Sequence, residues 1–265
     1  MTRISFCIGL IALCCCRVDS YAADDMKSIL ESTGIQGGLV VHLDCGEGEE
    51  TAVLRADERF LVLGLDADPA NVAAARQHIR QENLYGPVSI DQYDGQTLPL
   101  IDNSVTLIVA ENPSVPMQEI MRVLHPHGIA VVDGVETVKP RLDGTDEWTH
   151  YLHSAGNNAV AHDRLVGPPR HMQFLAAPLW SRHHDRLASI SSVVTAKGRL
   201  FYIIDNGPVF DAKEPGNWTI TARNAFNGLF LWEKPISSWT DIMRKFRSGP
   251  VQLQRLLVTD GDRVY

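Results

Sequence analysis

From Asp24 to Val132 the chain alternates short, unbroken apolar runs with stretches in which apolar residues recur every three or four positions. That alternation predicts β-α-β units wound around a parallel sheet. The apolar runs 39–43, 60–65, 88–90, 105–110 and 129–132 are rich in branched residues, as strands buried on both faces are. A helix is predicted over 25–32, closed by Gly34. A second is capped by Asp68, starts at Pro69 and continues over 71–81, carrying Val72, Ala75 and Ile79 on one face. A third, over 116–124, ends before His125-Pro126. No strand is predicted between Val132 and the segment that follows.

Past Val135 the periodicity fades. Residues 136–189 are rich in Pro, Gly, His and Asn and are predicted as an irregular connector. Apolar alternation returns at 193–194, 200–204, 218–222 and 229–232, broken by the turn pairs Lys197-Gly198 and Asn227-Gly228. This is antiparallel β sequence. The expected division is therefore a leader over 1–22, a Rossmann-like α/β domain over 24–135, the connector over 136–189 and an all-β region over 190–265.

The leader changes the expected setting. Arg3 precedes an apolar run from Ile4 to Cys16, and Ser20-Tyr21-Ala22 places small residues where a signal peptidase cuts. The run is too short to span a membrane, so the mature chain is expected without a span, exported to the periplasm or cell envelope. The alternatives are a start placed too early, in which case the protein stays in the cytoplasm, or an uncleaved apolar leader that acts as an anchor. Four of the five cysteines lie in the leader, leaving Cys45 alone and no internal disulfide. A formal net charge of −8 without a basic stripe excludes a broad electrostatic grip on nucleic acid.

The densest chemical signal is "VVHLDCGEG" at the end of the first strand, where glycines allow a sharp turn and close approach of a ligand. Asp66, at the end of the second strand, lies at the spacing at which an acid accepts ribose hydroxyls. This segment resembles the class I S-adenosylmethionine-dependent methyltransferases that act on small molecules. The resemblance implies that Asp44, Gly46 and Gly48 hold the methionine part of S-adenosylmethionine. It gives Asp66 the ribose and Ala67 a place against the adenine, through "GLDADPANVAAAR". Through "YDGQTLPLIDNSVTLIVAEN" it sets Asp94 and Gly95 near the adenine amine and Glu111 at the mouth of the site. "EIMRVLHPHGIAVV" is similar to the helix-turn-strand that closes this half, with Arg122, Pro126 and Gly128 in place. Glu50 stands where the family usually has a third glycine, and Thr106 where it usually has an acid. No catalytic base is assigned. Asn112-Pro113-Ser114 is predicted as a loop, and His42 as a core histidine.

In the all-β region, "ITARNAFNGLFLW" resembles the repeat of pyrroloquinoline-quinone-type β-propellers, preceded by "SISSVVTAKGRLFYIIDNG" as two inner strands. "QRLLVTDGDRVY" restarts the pattern, so a partial propeller is expected, one blade and the start of a second, in a fragment of a longer protein. Pyrroloquinoline quinone itself is not expected, because the quinone-binding members place two adjacent cysteines under it. The connector histidines His150, His153, His162, His171, His183 and His184 fit no recognised metal spacing and are expected to pack, with no metal. Two functions stay open: methyl transfer to an unidentified small molecule, or a non-catalytic exported scaffold that meets a protein partner through its propeller.

Overall fold

The computed structural model describes residues 21–165, 167, 172, 174–176, 189–208, 214–237, 239 and 251–265. Residues 1–20 of the predicted leader, and the connector residues His171, Trp180, His183, His184 and Asp185, lie outside them; Tyr21 and Ala22, also placed in the leader, begin the first helix.

The first half is a six-stranded sheet. Its strands are β1 (Gly38–Leu43), β2 (Phe60–Asp66), β3 (Val88–Gln92), β4 (Val105–Ala110), β5 (Leu124–Val132) and β6 (Val135–Val138), in the order β3-β2-β1-β4-β5-β6. The first five pair in parallel, and β6 runs antiparallel to β5. Helices α1 (Tyr21–Thr33), α2 (Glu49–Val53), α3 (Pro69–Gln81) and α4 (Met117–Val123) cover the two faces. Alternate residues of one strand serve opposite cores: Val40, Leu107 and Val109 pack with Met26 and Leu30 of α1 and Val72, Ala75 and Ile79 of α3. Val41, Leu43 and Ile108 pack with Ile120 and Val123 of α4. Asp68 caps α3 by accepting a hydrogen bond from the Ala70 amide at 2.8 Å.

Two expectations need correction here. The predicted break between helix and strand at 125–128 is absent: β5 begins directly after α4, at Leu124. Residues 125–128 form a large bulge, since Leu124 pairs with Val105 and Ile129 already pairs with Leu107. A further strand also follows Val132. Asp133 (φ 50°) and Gly134 (φ 73°) make a two-residue turn into β6, with Val132 paired to Val135.

The second half is a four-stranded antiparallel sheet of β7 (Ile190–Ala196), β8 (Arg199–Asp205), β9 (Trp218–Asn224) and β10 (Phe230–Pro235), in the order β10-β9-β8-β7. Lys197 (φ 49°) and Gly198 (φ 70°) form the expected two-residue turn between β7 and β8. The β9–β10 link is wider than an Asn-Gly turn. The Asn224 Oδ1 accepts from the Phe226 and Asn227 amides, and the Gly228 amide donates back to the Asn224 carbonyl. After α5 (Val251–Gln254), the closing segment folds onto this same sheet: Leu257 is buried with Val194, Phe201 and Trp218. Among the described residues no helix is long and apolar enough to cross a membrane.

Candidate active site

In a doubly wound sheet the crevice for a ligand opens at the carboxyl ends of the strands, where the strand order reverses. Here the reversal lies between β1 and β4. The predicted acids arrive there because each follows the last residue of a strand or ends one: Asp44 after β1, Asp66 at the end of β2, Asp94 shortly after β3, and Glu111 after β4.

The loop after β1 is built on left-handed backbone at Asp44 (φ 52°), Gly46 (φ 53°) and Gly48 (φ 85°). The two glycines do different work. A Cβ on Gly46 would meet nothing within 4 Å, so the loop faces open space there. A Cβ on Gly48 would lie 2.9 Å from the Ala75 Cβ, so this glycine lets the start of α2 press on α3.

Asp66 is only 4% exposed. Its Oδ2 accepts from the Gly46 amide at 2.9 Å, and its Oδ1 accepts from the Asp68 amide at 2.8 Å. Asn71 Nδ2 donates to both oxygens, at 3.3 and 3.2 Å. The carboxylate therefore staples the glycine loop to β2 and to the start of α3. A carboxylate has about four acceptor positions, so a ribose at this acid shares it with protein donors.

Asp44 is exposed, and its Oδ1 accepts from the Tyr93 hydroxyl at 3.1 Å. Burial, followed by the charge of Asp44, pushes the Tyr93 phenol well above its usual value, so it remains a donor. Ala67 is exposed, and a Cβ on Gly95 would lie 3.7 Å from the Ala67 Cβ, so these two positions adjoin. Asp94 folds its own loop: Oδ1 accepts from the Gln96 and Thr97 amides at 2.8 and 2.6 Å, which lowers its carboxyl. That loop is clamped to α4 by Arg122, which donates to the Leu98 and Leu100 carbonyls, to Glu119 and to Asp102.

His42 is a core residue, as expected. Its Nδ1 lies 2.8 Å from the Thr51 hydroxyl, and burial pushes its pKa down to about 4. At neutral pH it is uncharged, so the 3.7 Å approach of Glu50 to its Nε2 is not an ion pair. Asn112-Pro113-Ser114 is a loop, tied by the Asn112 amide to Asp133 at 2.6 Å.

A cleft of about 230 Å³ opens beside Glu111, lined by Asp25, Met26, Ser28 and Ile29 of α1 and by Val109, Ala110, Val131 and Gly134. Glu50 links it to the glycine loop electrostatically. Burial raises the Glu50 carboxyl, and Glu111, Asp25 and Glu49 raise it further. The cleft thus has an apolar floor and an acidic rim. Sequence reasoning missed Asn71 and Tyr93. Both sit inside the quoted motifs, yet their partners depend on loop paths that spacing does not encode.

Residues 41–132 match a family described as a methyltransferase domain. The match supports S-adenosylmethionine as the cofactor of this sheet, and the site fits it: an open glycine loop, an acid at the end of β2 and an exposed Ala67 beside the half-buried Gly95. Among solved structures the chain is similar to a candidate S-adenosyl-L-methionine-dependent methyltransferase from Methanococcus maripaludis, at 23% identity and a TM-score of 0.39, over 42% of this chain and 54% of that one. It is also similar to a SAM-dependent methyltransferase from Aquifex aeolicus, at 22% identity and a TM-score of 0.38, over 41% of this chain and 62% of that one. A third is geranyl diphosphate C-methyltransferase from Streptomyces coelicolor, at 17% identity and a TM-score of 0.39, over 42% and 44%. The chain spans about half the length of the first of these structures. No curated protein matches it.

Proposed function

We propose that the methyltransferase-type sheet binds S-adenosylmethionine through the loop from Asp44 to Gly48, through Asp66, and along Ala67, Asp94 and Gly95. The methyl acceptor is a small molecule in the cleft beside Glu111. The observation that carries this is the open left-handed loop at Gly46, stapled to Asp66 at the reversal of strand order. When bound, S-adenosylmethionine supplies an electrophilic methyl group. Methyl transfer asks the protein mainly to align nucleophile and methyl and to exclude water. Met26, Ile29, Val109 and Val131 provide the apolar wall for that, and the acidic rim of Glu111, Asp25 and Glu50 favours the cationic ammonium and sulfonium groups of the donor.

Isothermal titration with S-adenosylmethionine and S-adenosylhomocysteine tests this. Binding tighter than about 100 μM, roughly −5.5 kcal/mol, and weakened in Asp44→Ala supports it. No heat from folded protein overturns it.

A second reading has its own support. Asp66 is already engaged by three protein donors, which favours a sheet retained as scaffold. The four-stranded antiparallel sheet β10-β9-β8-β7 has the strand number of one propeller blade, which supports a protein-binding role for the second half. We infer export from the leader, which favours this second reading because the methyl donor is made in the cytoplasm; a start placed too early would leave the protein there. The test of export is N-terminal sequencing of protein from the envelope fraction, with Ala23 expected first.

A further inference from the structure

We propose that Asp146, His153 and His162 form a binding site for a divalent transition-metal ion of the zinc type, pinning the connector between the two sheets. Their spacing fits no recognised zinc pattern, yet the fold brings one ligand atom of each within 4.8 Å of the others. Asp146 Oδ2 lies 2.6 Å from His153 Nε2 and 3.6 Å from His162 Nδ1. Three ligands on arms of about 2.0–2.1 Å, tetrahedrally disposed, sit about 3.3 Å apart. The two observed separations bracket that value, so small side-chain rotations suffice.

The donors are also held in place. The Asp146 carboxylate is fixed at both oxygens by backbone amides, Glu147 to Oδ1 at 2.8 Å and His162 to Oδ2 at 2.7 Å. His153 sits on left-handed backbone (φ 69°), and its carbonyl accepts from the Thr149 amide at 3.0 Å. The Trp148 ring packs against its ring in a T-shaped contact, centroids 5.4 Å apart. The rings of His153 and His162 are perpendicular, with centroids 5.2 Å apart, so both can direct a nitrogen toward the one carboxylate. Asp163, next in the chain, carries a buried Oδ1 without a hydrogen-bond partner among the described residues.

Two imidazoles and one carboxylate suit zinc and its first-row neighbours and not magnesium or calcium, which take oxygen ligands. His153 is buried and His162 is 79% exposed, so the fourth position opens to solvent, where water completes the shell. Bound metal would join residues sixteen apart in a segment whose described β-bridge pairs only His150 with His153.

The test uses the full chain, stripped with chelator and re-equilibrated with zinc, cobalt(II), magnesium or calcium alone. One zinc per chain is expected, with a rise in Tm on zinc and none on magnesium or calcium. Cobalt(II) is expected to give the visible absorption of a tetrahedral site. His162→Ala, at an exposed position, keeps the fold and loses the zinc-dependent rise, with affinity down roughly tenfold or more. His183→Ala/His184→Ala keeps both. Equal zinc retention in the wild type and His162→Ala, or loss of zinc in His183→Ala/His184→Ala, overturns the proposal.

Discussion

The Asp66 carboxylate holds the Gly46 amide at 2.9 Å and thereby fixes the path of the glycine loop. Because that carboxylate is buried and its donors would be left unpaired, Asp66→Ala removes more than a ligand contact. It should lower stability by about 2–4 kcal/mol in urea unfolding and abolish S-adenosylhomocysteine binding. Asp66→Asn, which keeps one acceptor oxygen, should lose less stability. A fully stable Asp66→Ala protein would contradict the stapling role.

Gly46 and Gly48 separate binding from folding. Both have positive φ, which disfavours a side chain by about 1 kcal/mol. Gly46→Ala has room for its Cβ and should cost only that, while narrowing the open face of the loop. Gly48→Ala adds a 2.9 Å clash with Ala75 and should cost about 2–3 kcal/mol. The expected pattern is weaker binding with a small loss of stability in the first, and a larger loss in the second. Equal losses would show that the Ala75 contact relaxes.

How much of this was legible in sequence depended on burial. The five parallel strands were visible because burial on two faces demands unbroken apolar runs, as in Val105 to Ala110. Strand β6 was missed because Val135, Glu136 and Val138 form an exposed edge without that signature, although Asp133-Gly134 carries a hairpin signal. The start of β5 was hidden by His125-Pro126-His127-Gly128, which looks like a loop and folds as a bulge. At the site, the acids were legible from their positions at strand ends. Asn71 on Asp66, and Asp146 between His153 and His162, arise from the way loops fold back, which no fixed spacing records.

Thr106 stands where the resembled family usually has an acid, and its buried hydroxyl has no hydrogen-bond partner among the described residues. Thr106→Val keeps the shape and removes the unpaired group. It should stabilise the protein by about 1 kcal/mol, read as a higher urea midpoint with an unchanged slope. A lower midpoint would mean that the hydroxyl is satisfied in solution.

His42 gives the sheet a defined acid sensitivity. Its folded pKa of about 4 lies below the ordinary imidazole value of 6.5 because burial disfavours the imidazolium. Between those values the unfolded chain takes up a proton that the folded chain refuses, so stability falls as pH drops from 6.5 toward 4. The full shift corresponds to about 3 kcal/mol. In His42→Gln the pH dependence across that window should be shallower by close to one proton, measured as urea stability at a series of pH values. An unchanged slope would assign the acid sensitivity to other groups.

The two sheets meet through the β9–β10 loop. Phe226 stacks on His125 with ring centroids 5.4 Å apart and planes 9° from parallel, and Asn227 Nδ2 donates to the Ser104 carbonyl at 2.7 Å. The His125 imidazole is buried, which lowers its pKa and keeps the ring uncharged against Phe226 at neutral pH. A stacked pair contributes about 0.5–1.5 kcal/mol beyond its buried area, and a neutral hydrogen bond about 1 kcal/mol. Phe226→Ala with Asn227→Ala should therefore remove about 2 kcal/mol of coupling. Calorimetry should then show two separated transitions where the wild type unfolds in one. The wild-type profile in the double variant would mean that contacts outside this loop hold the halves together instead.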